Sequence, residues 1–154
     1  MIKKPTTYLI AIALITSLLS GSASATTPTA IKPPCRVDMP LAHESTKYAE
    51  KYRVLAVKVN VKVICDKLIT HLSLHVDLYK KAFPAPVFLV PFDYNKNVRI
   101  LPNHEFVVPG PVFICENWKP TAFFSEVSST AIINGEKMAA PKRRSFSKII
   151  ACGN

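Results

Sequence analysis

The stretch Val57-Lys58-Val59-Asn60-Val61-Lys62-Val63-Ile64-Cys65 decides the fold class. Apolar residues hold every odd position, and polar ones hold the even positions as far as Lys62. A period of two sends one side chain into a core and the next into water, which is the pattern of a half-buried strand. The same period returns where Leu72, Leu74, Val76 and Leu78 alternate with His71, Ser73, His75, Asp77 and Tyr79. Asp66-Lys67 marks a turn between the two. They are therefore either hairpin neighbours or strands that cross between sheets.

Weaker strand signals extend outward from this pair, at 87–92, 98–101, 106–108, 112–117 and 122–133, with a last strand at 146–152. Pro84 and Pro86, Asp93-Tyr94-Asn95 and Pro102-Asn103 read as the breaks between them. Asn134-Gly135 predicts a type I′ hairpin turn, because both of its central residues must tolerate positive φ. Pro91 cannot donate to a ladder and confines its strand to an edge or a bulge. Residues 41–52 suit a short helix or a loop with one or two turns. Seven to nine short strands with regular punctuation predict an all-β chain, an immunoglobulin-like antiparallel sandwich of two sheets.

The N-terminus predicts export. Lys3 and Lys4 precede an apolar run at 8–19, and Ala23-x-Ala25 follows as a small-x-small cleavage site. Twelve helical residues would reach ~18 Å, too short for a ~30 Å hydrocarbon core. The organisation read from this is a signal peptide over 1–25, a Pro-rich extended segment over 26–34 and a domain over 35–154, with the protein secreted. All four cysteines, Cys35, Cys65, Cys115 and Cys152, fall in that domain. An even count outside the cytoplasm predicts two disulfides. Zinc would need closely spaced ligand pairs, and none of these cysteines is near another in sequence. A leading strand beside the one that ends in Cys65 would bring Cys35 to bridging distance, and strand neighbours could do the same for Cys115 and Cys152. Cys65–Cys115, in the manner of the inter-sheet bridge of antibody domains, is the rival.

A strand ending in Cys65, the run Leu72-x-Leu74-x-Val76-x-Leu78-Tyr79-Lys80, then Cys115 and a terminal-strand Cys152 together resemble a pattern in small secreted proteins of Gram-positive bacteria. The resemblance covers residues 54–152 and departs from the family at Glu116-Asn117-Trp118-Lys119, where Gly and Tyr are usual. It implies a two-disulfide β-sandwich and favours the local pairing Cys35–Cys65 and Cys115–Cys152. It carries over no catalytic residue.

Motifs of chemistry are sparse. His71 and His75 have the i, i+4 spacing of a helical metal site, but on a strand that spacing separates them by ~13 Å. No G-x-S-x-G is present, and the ten acids offer no identifiable pair. Four scattered glycines form no phosphate loop. No enzyme activity, cofactor or metal is therefore expected. What remains is a formal net charge of +10. Lys58 and Lys62 share the polar side of their strand, while Lys142, Arg143, Arg144 and Lys148 cluster near the C-terminus. Such a surface attracts an anionic envelope polymer, a membrane surface or another protein. Nucleic acid is disfavoured by the compartment and by the lack of RNP-type aromatics. Part of the charge also serves solubility and the protection of edge strands. Trp118 next to Lys119, with Phe123 and Phe124 following, reads first as buried aromatic core and second as a recognition patch. The expectation is a monomeric, secreted, non-catalytic binding or envelope-associated module. A secreted inhibitor or antimicrobial effector is the alternative, and a hydrolase comes third.

Overall fold

A computed structural model describes residues 34–153. In it, nine strands and one helix follow in the order β1 (Cys35–Asp38), β2 (His43–Glu44), α1 (Thr46–Tyr52), β3 (Ala56–Cys65), β4 (Ile69–Lys80), β5 (Val87–Ile100), β6 (Phe106–Ile114), β7 (Asn117–Ile133), β8 (Glu136–Arg144) and β9 (Lys148–Gly153). The export leader read over 1–25 and the Pro-rich segment up to residue 33 lie outside the described residues.

Two antiparallel sheets form. In the first, β3 pairs β6 along one side and β1 and β2 in succession along the other. In the second, the order is β5-β4-β7, and the far side of β7 is shared by β8 and β9. This is the A-B-E against C′-C-F-G arrangement of immunoglobulin-like sandwiches, with the first and last strands each split in two. The turn at Asp66-Lys67 thus carries the chain from one sheet to the other, not around a hairpin.

The core follows from the alternation. Val57, Val59, Val61, Val63 and Cys65 of β3 are buried, as are Leu72, Leu74, Val76 and Leu78 of β4. They pack in two clusters that fill opposite halves of the sandwich. Fully burying a Val or Leu contributes about 1.5–3 kcal/mol, so these two strands anchor the fold. Asn134 and Gly135 both have positive φ, at 52° and 83°, as the hairpin reading requires. Both disulfides take the local pairing, with Cα–Cα separations of 4.0 Å for Cys35–Cys65 and 5.1 Å for Cys115–Cys152.

Two breaks read from the sequence are not breaks. The Asp93-Tyr94-Asn95 stretch lies inside β5, which runs unbroken from Val87 to Ile100 against β4. There Phe92, Tyr94 and Val98 pack on the core while Asp93, Asn95 and Asn97 are exposed. Its turn-like residues are the polar half of an alternation. Likewise 106–108 and 112–114 are one strand, β6, with Pro109-Gly110-Pro111 in its middle. The register slips by one residue opposite Lys58–Asn60, a bulge that accommodates the prolines on an edge strand. Gly110 is required there, because a Cβ would meet the Val59 carbonyl oxygen at 2.7 Å. The single edge partner of β5 also agrees with Pro91.

Candidate functional site

The two split strands create a cleft. Pro40, which has no N–H to give a ladder, falls between β1 and β2. Between β8 and β9 the chain is diverted by Ser145, whose hydroxyl accepts from the Ser125 N–H at 2.9 Å while its own N–H donates to the Ser125 carbonyl at 2.8 Å. β1 lies beside β8 and β2 beside β9, so the interruptions face each other. The result is an open cleft of about 410 Å³ lined by residues 37–40 of one edge, residues 143–146 of the other, and Lys62.

Its charge is mostly positive. Lys62, Arg143 and Arg144 reach it, against one lining acid, Asp38, which pairs with Arg36 at 2.8 Å. Lys62 is steered by Glu105 at 2.9 Å. The Arg144 guanidinium stacks 3.8 Å from the centroid of Phe124 and lies 3.9 Å from Glu126. Arg143 has no ion pair among the described residues. Buried Ser125 donates to the Met39 sulfur at 3.6 Å, and Phe146 stands exposed at the rim. An anionic group entering here meets Lys62 and the unpaired Arg143, while the Arg144 guanidinium is held on the outer face of the second sheet by Phe124 and Glu126.

The fold therefore brings two of the six sequence-predicted cations, Lys62 and Arg143, to the cleft, with Arg144 at its edge. Lys142 does not join: like Arg144 it lies on the outer face of the second sheet, and it pairs with the same Glu126. That hydrogen bond and charge raise its pKa above the ordinary lysine value. Lys58 sits further along β3, opposite His43 of β2, and Lys148 opens β9 opposite Phe123. Cys35, Cys65, Cys115 and Cys152 serve as staples and take no part in the cleft.

The outer face of the second sheet holds a polar row that the sequence did not disclose. Register places Asp93, His75 and Ser128 side by side, and Asp77 beside Glu126. His75 Nδ1 is 2.7 Å from Asp93 and its Nε2 is 3.2 Å from Asp77. The Asp93 hydrogen bond, opposed by some desolvation and helped by the charge of Asp77, raises the His75 pKa above 6.5. His71 Nδ1 instead meets Asn97 at 2.9 Å, so the two histidines engage β5 separately. Two carboxylates directly opposite each other repel, and here His75 on one side and Lys142 with Arg144 on the other relieve it. Tyr79 stacks on Phe124 with ring centroids 5.1 Å apart. Desolvation first, then the charges of Asp77 and Glu126, raise its pKa. The carboxylate pair needed the register of β4 against β7, which separate stretches of sequence do not carry.

Trp118 is a correction. It is 73% exposed, whereas Phe123 and Phe124 are buried. The β7–β9 register breaks between Asn117 and Pro120, so the tryptophan lies outside the regular ladder with little packed against it. No protein-family model matches the chain, and no match to it is found among the curated proteins.

Proposed function

We propose that the protein is a secreted, non-catalytic module that binds an acidic partner of the cell envelope through the cleft between its split edge strands. The convergence of Lys62 and the unpaired Arg143 on that cleft, with Arg144 lining its edge, carries the reading. Cations from two sheets give an anion more than one donor, and Arg143 supplies a planar fork suited to carboxylate or phosphate. The two disulfides belong to an oxidising environment. No helix among the described residues is long and apolar enough to cross a membrane. The leader pattern at 1–25 adds export to this, with the mature chain beginning at Thr26. N-terminal sequencing of protein from the medium checks that boundary, and an intact Met1 would refute it.

The binding test uses poly-glutamate and a polyphosphodiester wall polymer as probes. The wild type binds one or both at low salt and is released as ionic strength rises. Replacing Arg143 and Arg144 with glutamate weakens binding by more than about tenfold, whereas Lys58→Glu, outside the cleft, has a smaller effect. Equal loss from both sets of variants would mean diffuse charge and no site.

A further inference from the structure

A second surface lies at the pole of the sandwich that carries the Cys115–Cys152 bridge. β3 begins there, β4 ends there, and β5 and β7 begin there, as the pairs Ala56↔Ile114, Lys80↔Val87 and Lys80↔Phe123 require. The crossover at Cys115-Glu116 joins the ends of the two sheets at this same pole. Phe83, in the β4–β5 loop, is 99% exposed and Ile149 is 71% exposed. Trp118, Phe88, Ile114 and Tyr52 are exposed at this pole too. The opposite pole, built from the turns at 66–68, 101–105 and 134–135, exposes Leu101 and, on the strands that leave it, Val107 and Met138, each less than half exposed. Apolar exposure this lopsided marks an interaction surface.

The charges beside it identify the partner. Lys81, Lys119 and Lys148 stand within two residues of Phe83, Trp118 and Ile149, none with an ion pair among the described residues, and with Lys51 and Arg53 beside Tyr52 they outnumber the pole's acids, Glu50 and Glu116. Beyond Lys81 the loop Ala82-Phe83-Pro84-Ala85-Pro86 carries no charge. We propose that this pole inserts into the headgroup region of a bilayer rich in anionic lipid, with Phe83 and Trp118 as the wedge and the lysines on the phosphates. Aromatic side chains settle at that interface, and an apolar tip enters ~5–10 Å. Each lysine near an anionic surface raises partitioning by about fivefold. A second copy is a poorer occupant, because it would set two positive poles against each other. The pole is separate from the cleft, so neither reading depends on the other.

Trp118 is the chain's single tryptophan, which makes it a built-in probe of the pole. Exported protein is mixed with vesicles of phosphatidylcholine, with and without phosphatidylglycerol, and all variants share the wild-type N-terminus. Trp118 emission shifts to the blue and the protein co-sediments only with the anionic vesicles. Phe83→Ser removes a side chain that packs on nothing and weakens partitioning by roughly tenfold or more. The Arg143, Arg144 double variant partitions as wild type, while the Phe83 variant keeps its polyanion binding. Three results would overturn the proposal: sedimentation with unshifted emission, equal partitioning of Phe83→Ser, or a blue shift that follows protein concentration without lipid. The last would assign the pole to self-association.

Discussion

Ser45 stands at the N-cap of α1, yet its side chain makes no capping hydrogen bond. The residue is buried, and its hydroxyl has no partner among the described residues. Losing an N-cap serine ordinarily costs about 0.5–2 kcal/mol. Here Ser45→Ala removes an unsatisfied buried group and should leave the melting temperature unchanged or raised. A clear drop in a thermal melt would show a capping role. His75 behaves as a proton-linked clasp between β4 and β5. Because its folded-state pKa is raised, its contribution is complete below about pH 6.5 and fades as pH rises through the folded value. The side chain is half-exposed, so screening holds the effect to a few tenths of a kcal/mol. NMR titration should find the His75 pKa above the ordinary value and Asp93→Asn should lower it; an unmoved value would dissolve the clasp.

At the scale of elements, the bulge in β6 depends on one residue. Gly110→Ala places a methyl against the backbone of Val59, which cannot yield as a flexible side chain would. The variant should lose about 1–3 kcal/mol in urea unfolding, and a midpoint like wild type would mean that β6 simply shifts outward. The paired interruptions, Pro40 in one edge and Ser145 in the other, link strand chemistry to function. Continuous edges at that level would close the gap in which Arg143 and Lys62 meet. They would also offer long unpaired ladders to other chains, which split edges discourage.

The whole molecule is a sandwich tied at two places. Cys35–Cys65 joins β1 to β3 within one sheet, and Cys115–Cys152 joins the crossover between sheets to the final strand. In the chain-entropy model each closes enough chain to contribute about 4 kcal/mol. Replacing Cys115 and Cys152 with serine should lower unfolding stability by an amount of that order. It should also loosen the aromatic pole more than the cleft, as hydrogen exchange would register. Uniform loosening would show that the sandwich opens as one unit.

The sequence determined the class of fold, because a two-residue period over β3 and β4 is compatible only with strands that bury one face. It located the turn at Asn134-Gly135 from its backbone demands, and its even cysteine count matches the two bridges. It misplaced the interruptions, since Asp93, Asn95 and Pro109 look the same in a turn as on the outer face or bulge of an edge strand. Only long-range pairing tells these apart. It named six cations but could not say that Lys62 and Arg143 meet at the cleft while Lys142 and Arg144 lie on the outer face beside Glu126. That choice belongs to strand register, where one step sends neighbouring residues to opposite faces. The exposure of Trp118 was hidden for the same reason: an aromatic is buried only if another layer covers it, and tertiary structure places that layer.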